Sequence, residues 1–69
     1  MLTVFCNTAD LQDVKEELTR SFPGCFIGKA YRYDMGKVFN VSRSTKPLVK
    51  HEVLGALESF SDINVIEST

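Results

Sequence analysis

Residues 25–42 read CFIGKAYRYDMGKVFNVS, and the way this stretch folds back on itself decides the rest of the chain. Two runs rich in β-branched and aromatic residues, 25–33 (CFIGKAYRY) and 37–42 (KVFNVS), flank Asp34-Met35-Gly36. An Asp-x-Gly triplet between such runs predicts a hairpin with a three-residue loop and Gly36 in the left-handed bulge position. In that register Tyr33 faces Lys37, Tyr31 faces Phe39 and Lys29 faces Val41. Opposed residues share a sheet face, so Tyr31, Phe39, Val41 and Ile27 form the core face. Arg32, Val38, Ala30 and Asn40 are then left on the open face. If Met35-Gly36 alone turns, Lys29, Tyr31 and Tyr33 move outward together. The Asp-x-Gly chemistry and the depth of apolar residues favour the core register; one residue of slip separates the two.

On the N-terminal side, residues 1–7 (MLTVFCN) read as a strand in which Leu2, Val4 and Cys6 point inward and Phe5 lies on the open face beside Thr3 and Asn7. From Asp10 the period changes. Leu11, Val14, Leu18 and Phe22 recur at steps of three and four on one helical face, with Thr8 or Asp10 as cap and Pro23-Gly24 as stop. On the C-terminal side, Ser44-Thr45 offer a second cap, and Pro47 falls in a first turn. Val49, Val53, Ala56, Leu57 and Phe60 form a second stripe, from which Leu48 and Leu54 point away. Residues 63–66 (INVI) read as a last strand, with 67–69 frayed.

The order strand, helix, strand, strand, helix, strand resembles the ferredoxin-like architecture. That resemblance implies an α+β, two-layer βαββαβ sandwich, with a four-stranded antiparallel sheet of order 4-1-3-2 and both helices on one face. Residues 1–69 are read as one domain. Cys6 and Cys25 fall at opposite sheet ends in this arrangement, beyond bridging distance.

Composition narrows the function classes. Sixty-nine residues with 43% apolar content bury only about 60% of the surface the unfolded chain exposes, which leaves little room for a dry catalytic cavity. No apolar run approaches a membrane span, and residues near Met1 lack the basic and apolar regions of a signal peptide. Two cysteines with 18 residues between them match no redox or zinc spacing, and His51 has no second imidazole. The expectation is a cytoplasmic protein with no metal, cofactor, membrane or small-molecule substrate.

Charge is more informative than its total. The net −1 conceals a segregated chain. Residues 1–28 sum to −2 and residues 51–69 to −4. Residues 29–50 carry Lys29, Arg32, Lys37, Arg43, Lys46 and Lys50 against Asp34 alone, a sum of +5. A basic hairpin attracts phosphates or an acidic protein, and it equally discourages edge-to-edge aggregation.

Enzymatic chemistry finds no support in the spacing. Gly24, Gly28, Gly36 and Gly55 are dispersed and none opens a helix after a strand. His51 with Glu52 or Asp62 and Ser59 or Cys25 makes a triad only on paper, since His51 projects from a helix back. Asn7-Thr8-Ala9-Asp10 offers an acid where an anion loop needs donors.

A non-enzymatic accessory or inhibitor-like protein fits better. It would bind a larger protein, or a copy of itself, through Phe5 and Val38 on the open sheet face, steered by Lys29, Arg32, Lys37 and Arg43. The alternative is single-stranded nucleic-acid binding through Phe5, Lys29, Tyr31, Tyr33 and Lys37. Val4-Phe5 and residues 36–42 (GKVFNVS) resemble the short and long motifs of the RNA-recognition module, with Phe39 the aromatic of the longer one. Exposure of both Tyr31 and Tyr33 would favour this alternative, and burial of Tyr31 against Phe39 would favour docking.

Overall fold

The computed structural model describes residues 1–67, and its order follows the sequence periods closely. β1 (Leu2–Asn7) leads through a 3₁₀ turn (Thr8–Asp10) into α1 (Leu11–Ser21). Then come β2 (Phe26–Ile27), β3 (Tyr31–Tyr33), β4 (Gly36–Ser42), α2 (Lys50–Ala56) and β5 (Asn64–Glu67). The fold is mixed α+β, with a five-stranded antiparallel sheet and two helices. β4 and β1 are central. β5 lines the outer edge of β1, while β2 and β3 both lie along the outer edge of β4.

Where one strand was expected over residues 25–33, there are two short ones. Ile27 pairs with Val41 and Tyr31 with Val38, so Gly28, Lys29 and Ala30 span the interval that Phe39 and Asn40 span on β4. One extra residue on one side of an antiparallel pair is a β-bulge. The Gly28 N–H keeps the ladder together by donating to the Asn40 carbonyl at 2.8 Å.

The bulge reverses the side-chain alternation. Ile27 and Ala30 pack against the core, while Tyr31 and Tyr33 are 60% and 63% exposed. The hairpin register differs from both expected ones. Tyr33 pairs with Gly36, Arg32 with Lys37 and Tyr31 with Val38, leaving a two-residue loop of Asp34 and Met35. Asp34 takes the left-handed conformation (φ 53°), a role expected of Gly36. Asp tolerates that region because its short side chain bonds locally. Tyr31 therefore does not face Phe39, and Arg32 lies on the helix-covered side of the sheet.

That side is the core. Leu2, Val4 and Cys6 of β1, Phe39 and Val41 of β4, and Val65 of β5 are buried together with Val14 and Leu18 of α1, Phe22, Val53 of α2 and Leu57. The α1 stripe forms as its period requires. Of its two expected caps, Asp10 stands at the helix start but bonds no first-turn N–H through its side chain, and Thr8 lies in the 3₁₀ turn before it. α2 is shorter than its pattern. It starts at Lys50 with extended Val49 as cap, so Pro47 and Ser44-Thr45 precede it in loop, and Leu57 ends it. Leu48 and Leu54 pack partly buried against the core, contrary to the outward direction expected of them, while Val49 is exposed.

Cys6 is buried and Cys25 half-buried, both as free thiols. Glu67 closes β5; the rest of the expected frayed end, Ser68 and Thr69, lies outside the described residues.

Candidate functional site

With both helices on one side of the sheet, the other side is left to alternate residues of the same strands. β1 contributes Thr3 and Phe5, β4 contributes Val38 and Asn40, and β5 contributes Asn64 and Ile66. The interrupted edge adds Phe26, opposite Ser42, then Tyr31 and Tyr33. Phe26 and Ile66 are 70% and 56% exposed. Most of the large exposed apolar side chains of the described residues thus sit on this one face.

The face has a built centre. The Tyr33 ring meets Phe5 edge to face, with centroids 6.2 Å apart and planes at 81°. Gly36 makes the contact possible, because a methyl there would run into the Cys6 carbonyl oxygen and stand 2.7 Å from Phe5 Cζ. Thr3, Phe5, Tyr33, Val38, Asn64 and Ile66 line a shallow hollow of about 310 Å³. Thr3 donates its hydroxyl proton to Asn40 Oδ1 at 2.8 Å, so this polar pair is satisfied within the face.

None of these face positions carries a charge. The one basic group that reaches the face is Lys29, leaning from the bulge with Nζ 5.9 Å from the Tyr31 ring centroid. At the β1 end, Asn7 Nδ2 donates to Asp62 Oδ2 at 3.4 Å.

The residues singled out from sequence separate into three places. Phe5, Val38, Tyr31 and Tyr33 share the open face, with Lys29 at its margin. Arg32 and Lys37 oppose each other on the other side of the sheet, a pairing of like charges. Arg43 follows β4 at the far end of the sheet, where its Nε donates to the Lys46 carbonyl at 2.8 Å and its guanidinium lies 5.7 Å from the Phe22 centroid. Phe26 and Ile66 are members that sequence reasoning missed. Phe26 follows from plain alternation once Ile27 points inward, while Gly28, a glycine inside a strand pattern that marks a bulge and a reversal of faces, is the signal for the outward turn of Tyr31 and Tyr33.

Elsewhere the surface is plain. An open groove of about 480 Å³ is lined by Asp13, Glu16, Glu17, Arg20 and Phe60. Glu17 is held below the usual carboxylate range by hydrogen bonds from Arg20 and Ser21. Burial pushes the Cys6 thiol above its ordinary value, with Asp10 adding to the rise and Lys15 opposing it. His51 is exposed on α2, and among the described residues no group of three His, Cys, Asp or Glu is placed to hold a metal. No described helix is long and apolar enough to cross a membrane. Compared with known proteins, the chain matches no family model, no curated protein and no solved structure.

Proposed function

We propose that this chain is a small, non-enzymatic, cytoplasmic binding protein that docks a protein partner through the open face of its sheet. In this reading β2 and β3 are one edge strand interrupted by the bulge, and the fold is a ferredoxin-like βαββαβ sandwich with one uncovered face. The observation that carries the function is the composition of that face: Phe5, Phe26, Tyr31, Tyr33, Val38 and Ile66 with no charged position among the strands. A contiguous apolar and aromatic patch on a small soluble surface is the physical signature of a protein interface, with tyrosines as anchors and polar side chains at the rim. Arg32 and Lys37, on the other side of the hairpin, act at longer range and speed encounter with an acidic partner.

The test is a photo-crosslinking amino acid placed in the cell at Ile66, on the face, and at Glu16, on the exposed back of α1. Discrete protein adducts from position 66 and none from position 16 are expected. The absence of any protein adduct at 66 removes the proposal. In purified complexes, Arg32→Glu with Lys37→Glu lowers the association rate and flattens its salt dependence.

One observation favours a second reading, single-stranded nucleic-acid binding through Phe5, Lys29, Tyr31, Tyr33 and Lys37. Tyr31 and Tyr33 are exposed neighbours on one strand face, about 7 Å apart along the chain. That spacing suits splayed single-strand bases and not the 3.4 Å stack of a duplex. Against it, Lys37 lies on the far side, leaving Lys29 as the sole nearby phosphate partner. Fluorescence anisotropy with mixed-sequence single strands at two salt concentrations discriminates. Binding tighter than about 100 μM at low salt, with a steep salt slope, establishes this reading, and no binding dismisses it.

A further inference from the structure

We propose that the loop after β4 holds a binding site for a carboxylate carried on a short apolar group, with Arg43 as the partner of the anion. The site lies at the end of the sheet away from the hairpin turn and shares no side chain with the hollow at Phe5 and Tyr33.

The site is built by the segment that precedes α2. Residues 43–49 (RSTKPLV) carry cap signals and a proline, yet the helix starts only at Lys50. Leu48 anchors this loop by packing against the core. Leu2 and Val41, paired across β1 and β4 and almost wholly buried, form the floor beneath it. Between loop and floor is a pocket of about 240 Å³, with Met1 and Pro47 adding to its apolar walls and Ser42 and Arg43 as its polar members. Among the described residues no acid lines it.

Arg43 is half-buried, and its guanidinium is held at two points. Nε donates to the Lys46 carbonyl at 2.8 Å, and Cζ lies 5.7 Å from the Phe22 ring centroid. The two terminal nitrogens have no hydrogen-bond or ion-pair partner among the described residues, where the one ion pair joins Glu17 and Arg20. A guanidinium presents its N–H donors in a planar fork that matches a carboxylate. Because two contacts already restrain the side chain, binding gives up little of the rotamer freedom an arginine ordinarily loses.

Size and polarity narrow the ligand. The volume equals that of about eight waters in the liquid, so the ligand has roughly that number of non-hydrogen atoms. A bare anion would leave Leu2, Val41, Pro47 and Leu48 without apolar contact. A wholly apolar molecule would cover the guanidinium and give it no partner. A carboxylate on a chain of about five carbons meets both demands. Two sources present that chemistry: a free short-chain carboxylic acid, and the C-terminal carboxylate of a peptide that ends in an apolar residue.

The test is a titration of the isotope-labelled full chain, followed by two-dimensional NMR, with hexanoate, hexanamide and N-acetylleucine at constant ionic strength. Hexanoate and hexanamide share one outline and differ in charge. Hexanoate is expected to shift the backbone amides of Leu2, Ser42, Arg43 and Leu48 with half-saturation at about 1 mM, the affinity a ligand of that size reaches. Hexanamide is expected to bind about tenfold more weakly, the worth of a charge-assisted bidentate pair. Arg43→Gln abolishes that difference while the circular-dichroism spectrum stays that of the parent. If Arg43→Gln disturbs the loop, the two ligands on the parent chain decide alone. N-acetylleucine binding about tenfold tighter than hexanoate, or more, assigns the site to a chain end, and weaker preference assigns it to a free acid. Three results overturn the proposal: no saturable shift by about 50 mM, equal binding of hexanoate and hexanamide, or a difference between them that survives in folded Arg43→Gln.

Discussion

The two faces of the sheet are made from alternate residues of the same strands and have been put to opposite uses. On the helix side Leu2, Val4, Cys6, Phe39, Val41 and Val65 are almost wholly removed from water. On the open side Tyr31, Tyr33, Phe26 and Ile66 remain more than half exposed. Apolar content alone does not separate them. The difference lies in what covers each face, which two amphipathic helices supply on one side and a partner is proposed to supply on the other. The distinction is measurable, because a side chain already buried in the monomer contributes to folding, whereas one awaiting a partner contributes mainly to association.

The largest effect expected is at Phe39. Phe39→Ala removes a fully packed ring from the centre of β4 and lowers unfolding free energy by about 3–5 kcal/mol, read from urea denaturation. Gly36→Ala comes next, at about 1–3 kcal/mol. The added methyl meets the Cys6 carbonyl oxygen, a backbone atom held in the β1–β4 ladder, and also the Phe5 ring. Nearly unchanged stability for Gly36→Ala would break the account of how the open face is centred.

Much of the fold was legible because its signals are local and redundant. The stripe of Leu11, Val14, Leu18 and Phe22 recurs at steps of three and four along and just beyond α1, and the alternation of Leu2, Val4 and Cys6 fixes which face of β1 is inward. What escaped was the register of the hairpin, because two compensating single-residue events decide it. The loop closes on Asp34-Met35, and the bulge at residues 28–30 inserts one residue. Each reverses the faces of a strand, so a pattern of apolar residues cannot locate either. Both tyrosines are amphipathic enough to satisfy a core or a surface pattern. The second helix misled for another reason. Pro47 and Ser44-Thr45 are sound start signals, yet the helix begins only at Lys50, with Leu48 packed before it. The candidate face inherits this history: Phe5, Val38 and Phe26 could be placed from alternation, while Tyr31 and Tyr33 required the shifted register.

Tyr31→Ser sharpens the comparison at smaller scale. It is expected to change stability by less than about 0.5 kcal/mol, read from urea denaturation, since the ring is exposed. A large loss would place Tyr31 in the core and contradict the register.

The smallest effect is silent at neutral pH and belongs to the buried face alone. Cys6 is an acid whose folded pKa is raised above its ordinary 9.0, first by burial and then by Asp10. Above that pH the unfolded chain releases the proton while the native state still holds it, so the native state binds more protons and stability falls as pH climbs. Below it both states are protonated and no contribution remains. Urea midpoints should therefore be level from pH 7 to 8 and decline at more alkaline pH. Cys6→Ala is expected to show a lower curve throughout, from lost packing, with that component of the alkaline decline removed. A thiol reagent gives the same contrast kinetically at neutral pH, reacting with half-buried Cys25 before Cys6, which must wait for the sheet to open. Equal rates at the two thiols would mean that the helix-covered face opens as readily as the surface, and the division between the two faces would lose its energetic meaning.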